Sequence, residues 1–182
     1  MRYADDIVLI CAKDTEKPLS KLKQMLAHLN LQPNETKTAI VNAREESFDC
    51  LGFEIRLHRS PQSGKSYPHV QPGKRAVKAI KAKLTQYTGR ELTPLPLVII
   101  VQRLNQSVRG WSAYFDYRNS TKVMGSVRWH AEARLRSHLR KRHQVRDWNY
   151  GYFRFPRKVL YERYGLFKLP TSAPWKRAHA LV

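Results

Sequence analysis

Acidic residues are scarce in this chain. Fourteen Asp and Glu stand against 34 Lys and Arg in 182 residues, a formal charge of +20. Such an imbalance says nothing about fold but much about partners. The expected counterpart is a polyanion, most commonly nucleic acid, against the bland alternative of a merely soluble basic protein. Cysteine is scarcer still. Cys11 and Cys50 form neither a C-x2-C metal pair nor a disulfide framework. Their apolar, strand-like surroundings predict buried thiols in a reducing, cytoplasmic compartment. No apolar run approaches the roughly 18 residues of a membrane helix, so no membrane partner is expected. The longest run, "LPLVIIV" at 95–101, reads as core. "IVLICA" is short and follows two acids, so no secretory signal is expected. Repeats and low-complexity segments are lacking. What remains is a globular composition, 42% hydrophobic and 26% charged.

The order of elements predicts an α+β chain. "DIVLICA" reads as a buried strand. Asp14 or Thr15 can cap a helix over 16–29, where Leu19, Leu22, Met25, Leu26 and Leu29 recur at spacings of three and four. "QPNET" is a loop, and "KTAIVN" at 37–42 reads as a second strand. "FDCLGFEIRL" at 48–57 reads as a third, returning through "SPQSGK" into a short strand near Tyr67–Val70.

The composition shifts near residue 74. Val77, Ile80, Leu84 and Tyr87 line one face of a helix, and Lys74, Lys78 and Lys81 share a neighbouring face. A second helix is expected from about Leu97 to Tyr117, and a third over 126–143. The remainder is rich in Tyr, Phe, Trp and Pro, with little periodicity. The working division is residues 1–73 and 74–182.

Between Arg128 and Arg146 there are seven Lys or Arg and three His against one acid, Glu132. A nearly single-signed helix of this kind suits docking against phosphates; an ordinary solvated face would mix its signs. Arg128, Arg134, Arg136, Arg140, Lys141 and Arg142 are the candidate contacts. His130, His138 and His143 have no carboxylate or cysteine partners at ligand spacing and read as helix-face histidines. In "RGWSAYFDYR", Trp111, Tyr114 and Phe115 have helical spacing and read as core, leaving Arg109 and Arg118 as candidate RNA contacts. Gly110 suggests close helix packing or a local bend.

Asp5 and Asp6, adjacent carboxylates, could at a tight turn converge on a hard cation such as Mg²⁺ or Mn²⁺, or be an ordinary solvated turn pair. The tetrapeptide "YADD" has odds of roughly one in a thousand in a chain of this length, assuming equal residue use. It resembles the palm hairpin of reverse transcriptases, and further blocks follow in that family's order. "LNLQPNETKT" at 29–38 and "FDCLGF" at 48–53 are similar to the next two blocks of intron-encoded reverse transcriptases, the second being the hairpin that grips the primer. "RLNQSVRGWSAYF" at 103–115 is similar to the maturase signature of group II intron proteins. "RWHAEARLRSHLRKRH" and "YGLFKLPTSAPWKRAHA" fit the same family's C-terminal part.

The resemblance implies the end of a polymerase palm followed by a basic, all-helical thumb and maturase region. Asp5 and Asp6 would be catalytic metal ligands. Tyr3, Lys37, Leu51 and Gly52 would touch primer or nucleotide, although Lys37 also reads as a strand-edge lysine and Leu51–Gly52 as structural. The implied partner is structured intron RNA, with an N-terminal palm and fingers half or a second copy as further possibilities. The family's fingers and one further catalytic aspartate precede the YADD hairpin, so the sequence reads as a C-terminal fragment that binds no Mg²⁺ stably. It is expected to fold RNA while the ribozyme does the chemistry. An Mg²⁺-dependent primer-extension assay on an RNA template checks this: the expected outcome is no extension by the chain alone, and clear extension refutes it.

Overall fold

Three stretches of alternating, β-prone residues supply the sheet of this α+β chain. The computed structural model describes residues 2–3, 6–12 and 14–172. Strands β1 (Arg2–Tyr3) and β2 (Asp6–Ile7) pair antiparallel, with Tyr3 opposite Asp6. Helix α1 (Glu16–His28) follows, and Asp14 accepts from the Glu16 amide at 3.0 Å. Strands β3 (Phe48–Cys50), β4 (Phe53–Arg59) and β5 (Ser66–Pro72) form a second antiparallel sheet in that order.

Where one strand was expected over 48–57, there are two. Leu51 and Gly52 adopt φ of 51° and 77° between the paired residues Cys50 and Phe53. Two consecutive positive φ values make the hairpin turn whose twist matches its strands. The expected strand at 37–42 does not form, and strand geometry in the first apolar run stops at Ile7. At 37–42 local competition contributes. Asn34 accepts from the Thr36 amide and hydroxyl through its side chain, and from the Lys37 and Thr38 amides through its carbonyl. Asn42 likewise accepts from the Arg44, Glu45 and Glu46 amides. These asparagine turns bracket the segment and take the first donors that a ladder would need. Leu9, Ile10 and Ile40 are exposed, and Cys11 and Cys50 are half-buried rather than buried. Helix α1 likewise buries no residue.

The core lies in the helical part. Helices α2 (Lys74–Gln86), α3 (Leu97–Phe115) and α4 (Thr121–Arg142) are joined by a single 3-10 turn at Arg90–Leu92 and a short loop. Two short helices, α5 (Trp148–Arg154) and α6 (Arg157–Glu162), follow in the segment that showed no periodicity. Asp147 caps α5 through both carboxylate oxygens, and Pro156 starts α6. Ile80, Leu84, Ile100, Leu104, Val127, Leu135, Leu139, Leu160 and Leu169 close one continuous apolar core. Helix α4 touches α2, α3, α5 and α6 and begins five residues earlier than its periodicity suggested, with Met124 fully buried. Asn105 ties the C-terminal segment to α3: it donates to the Gly165 carbonyl and accepts from the Phe167 amide, both at 2.7 Å.

Two clasps hold the sheet to the helices. The Asn119 amide donates to the Val70 carbonyl, and its side-chain oxygen accepts from the Val70 amide, at 3.0 and 3.3 Å. The Leu51–Gly52 turn meets the end of α3, where the Tyr114 hydroxyl donates to the Leu51 carbonyl at 3.0 Å. Phe53 packs against Tyr114, Phe115 and Tyr117. The Phe115 ring would lie 3.2 Å from a Cβ at position 52, so space and positive φ both demand glycine there. Gly110, by contrast, faces nothing within 4 Å, so close packing does not explain it.

His138 was expected on a helix surface and is fully buried, with neither ring nitrogen in a well-formed hydrogen bond. Burial first, then the nearby Arg142 and Lys141 charges, hold its pKa below the ordinary 6.5, against a partial upward pull from the Thr88 backbone. Unfolded chains take up this proton near pH 6.5, while the folded core takes it up only at lower pH. Stability is therefore intact above pH 6.5 and is lost as pH falls below it. Thermal melts between about pH 7.5 and 5 should show a falling transition, and His138→Leu, which keeps apolar bulk, should flatten it.

Candidate nucleic-acid interface

A helix buried on one side and rich in charge all round must give its inward-facing charges partners. Inward positions of α4 cover roughly half its circumference, from Val127 round to Arg136. Glu132 lies on that arc, 2% exposed. It receives the Arg157 Nε at 2.7 Å and the Tyr161 hydroxyl at 2.5 Å, with the Arg128 Nε at 3.8 Å. Burial, and then the hydrogen bond to Glu132, push the Tyr161 phenol well above its usual range, so it remains a donor. The same carboxylate raises the Arg157 guanidinium. The one acid of the basic segment thus joins α4 to α6.

Several candidate arginines share this inward duty. Arg136 is 5% exposed; its Nε donates to the Phe155 carbonyl at 3.0 Å, and its guanidinium lies 4.1 Å from the Tyr152 ring centre. Arg142 donates to the carbonyls of Thr93 and Leu95 at 2.8 and 2.6 Å, so α4 holds the loop before α3. Arg128 donates to Thr171 at 3.1 Å, and Arg134 to Thr88 at 3.0 Å.

The outward-facing cations gather in two places, and Arg134, tied to Thr88 by its Nε, also borders the second. The first is a groove of about 770 Å³ between α2 and the start of α4. Lys74, Lys78 and Lys81 line it from α2, and Lys122 from α4, with Glu54 as its one acid. Lys81 donates to Ser126 at 2.7 Å across it. The second is a cleft of about 580 Å³ where α4 turns toward α5, lined by Arg134, Arg140, Lys141, Arg146 and Trp148 and by no acid. Arg140 donates to the Arg146 carbonyl at 2.6 Å, and its guanidinium lies 4.7 Å from the Trp148 ring centre. Arg109 and Arg118 stand apart from both. Arg109 lies over Phe167, and Arg118, at φ 45°, donates to the Tyr117 hydroxyl.

Lys122, Arg146 and Trp148 were missed as candidates. Lys122 lies in a helical turn that the periodicity did not reach. Arg146 and Trp148 bracket the Asp147 cap, and a capping aspartate ahead of an aromatic run was the available signal.

The remaining candidates lie in the N-terminal part. Lys37 is exposed in the Asn34 turn, not on a strand edge. Leu51 and Gly52 form the hairpin turn already described. Tyr3 stands in register opposite Asp6, which is exposed, and Asp5 lies outside the described residues. Residues 173–180 of the C-terminal motif lie outside them as well. No three His, Cys, Asp or Glu side chains come together to hold a metal among the described residues. Asp6 by itself does not make a two-metal site, and no step through Mg²⁺ is derived. No helix among the described residues is long and apolar enough to cross a membrane.

The Glu132 cluster is checked by mutation. Glu132→Gln keeps the shape and removes the charge, and should cost roughly 1.5–3 kcal/mol in a denaturant titration, as expected for hydrogen bonds to a charged group. A loss within experimental error of zero would remove Glu132 from this role.

A comparison with curated proteins gives no match. The family described as group II intron, maturase-specific domain, has a model that matches residues 77–153. That stretch runs from the first turn of α2 to Phe153 in α5 and contains nearly all of both basic surfaces. Residues 77–153 of this chain are similar to the maturase-specific domain of group II introns, the stretch that also holds the "RLNQSVRGWSAYF" signature.

Proposed function

We propose that this chain binds structured intron RNA through its two basic surfaces and assists the folding and splicing of a group II intron. One observation carries the reading: the outward cations gather in two concave surfaces holding a single acid between them. Concave positive surfaces concentrate a polyanion and neutralise closely spaced phosphates. The protein's part is electrostatic and positional. It offsets phosphate repulsion and holds the compact RNA, and the RNA performs the chemistry.

The inward arginines serve this indirectly. Arg136 and Arg142 fix α4 against its neighbours, so Lys74, Lys78, Lys122, Arg134, Arg140 and Lys141 keep a constant spacing. Arg109 and Arg118, exposed at the end of α3 and beyond it, extend the basic surface. In this reading residues 1–73 are the end of a reverse-transcriptase palm, and 74–182 the thumb and maturase region. Asp5 and Asp6 would hold Mg²⁺ or Mn²⁺ only with further carboxylates, the metal supplying charge stabilisation for nucleotidyl transfer. A second reading is favoured by the exposed Leu9, Ile10 and Ile40, which suit coverage by a separately made polymerase half. The primer-extension assay repeated with that half added is its test.

Salt titration tests the main reading. The affinity for structured intron RNA should fall steeply with salt, with a slope of about −3 to −5 in log K against log salt. Lys74→Gln, Lys78→Gln and Lys122→Gln together should make the slope shallower by about 2 while leaving the melting temperature unchanged, since all three are exposed. A slope near zero, or equal affinity for a random RNA of the same length, overturns it.

A further inference from the structure

The outer surface of α5 has no part in the core. Trp148 is 51% exposed, Tyr150 50% and Phe153 81%, on a helix of seven residues. Tyr150 and Phe153 lie near-parallel at 6.2 Å, and Trp148 meets Tyr152 at 5.6 Å. These rings adjoin the acid-free cleft, because Trp148 also lines it. Their placement is fixed from below. Arg140 packs so closely on Gly151 that no side chain could stand there, and the Arg140 guanidinium supports the Trp148 ring. The Asp147 carboxylate, the acid nearest in sequence, is occupied as the cap of α5.

Cations alone do not distinguish paired from unpaired RNA, since both present phosphates. Exposed ring faces do. In a duplex the base faces are hidden in the stack, and only a loop, bulge or end can lay a base on an aromatic side chain. Flat rings beside a row of cations form the arrangement that follows a single strand, with bases on the rings and the backbone in the groove. From this juxtaposition we infer that the α4–α5 cleft is a site for an unpaired RNA segment. Lys141, Arg146 and Arg134 meet its phosphates, and Trp148 stacks on one of its bases. The lysine groove between α2 and α4 has one ring among its lining residues, His130, which is engaged with the Thr85 hydroxyl and the Lys81 carbonyl, so it offers no free ring face and does not discriminate in this way. The inference rests on the RNA-binding reading and assigns its two surfaces different tasks.

The test compares an unstructured single strand of about ten nucleotides with a blunt duplex of equal length, by fluorescence anisotropy with the full chain. Trp148→Leu keeps apolar bulk without a ring, and Trp148→Phe keeps a smaller ring. Stacking predicts that Trp148→Leu weakens the single strand roughly tenfold, that Trp148→Phe retains most of the affinity, and that the duplex is unaffected. Lys141→Gln with Arg146→Gln should make the single-strand salt slope shallower by about 1.4. Equal behaviour of the Leu and Phe variants, or equal losses on both RNAs, overturns the site. So does sedimentation showing that the ring surface joins two copies and that Trp148→Leu separates them without changing RNA affinity. If the chain binds no RNA at all, the RNA-binding reading itself fails. If it binds structured RNA with a steep salt slope and ignores Trp148→Leu, only the cleft assignment fails.

Discussion

The folded helical part depends on how α4 carries a strongly basic sequence through the centre of the molecule. An uncompensated charge inside a protein costs several kcal/mol, so an inward arginine is tolerated only where acceptors wait for it. The same requirement holds for the buried Glu132, which Arg157 and Tyr161 satisfy, and main-chain carbonyls meet it for Arg136 and Arg142. Each bond joins α4 to a different neighbour: α6, the end of α5, and the loop before α3. The apolar core supplies most of the driving force through residues such as Leu135 and Leu139. The polar bonds choose which arrangement that core adopts.

One consequence is a division of labour among the cations. Those on the buried arc are structural. Those on the opposite side, with the lysines of α2, face two concave surfaces whose counter-charge must come from outside. Because the arginine anchors are rigid, the outward cations are held at fixed separations, and a polyanion meets them without a large ordering cost. The +20 charge, a property of composition, becomes a property of two places.

The N-terminal part is built on a different economy. Its sheet gains little from its own packing and is held mainly where β3–β4 and β5 reach the helices, at the Leu51–Gly52 turn and at Asn119. Ahead of β3, α1 and the asparagine turns at 34 and 42 satisfy their backbone locally and leave apolar side chains in solvent. In physical terms this is a low-stability region beside a well-packed one.

By itself the sequence determined the charge, the three long helices from their spacings of three and four, and the likeness to group II intron maturases carried by motifs in a fixed order. It also placed Lys74, Lys78 and Lys81 on one face. The apolar residues spaced every fourth position along α4, Val127, Ala131, Leu135 and Leu139, are all buried, but periodicity could not show the full width of that buried side, because Glu132, Arg136 and His138 sit there in place of apolar residues. Nor could it find α5 and α6, which are too short for a repeating pattern and are stabilised by a cap and by docking. Strand propensity at 8–11 and 38–42 misled, since a strand exists only where an edge pairs with it, and beside 38–42 Asn34 also captured the Lys37 and Thr38 donors. Which arginine is a strut and which faces outward was decided by tertiary structure alone. It depends on where carbonyls and a single carboxylate from distant segments come to rest, and spacing along one helix holds no record of that.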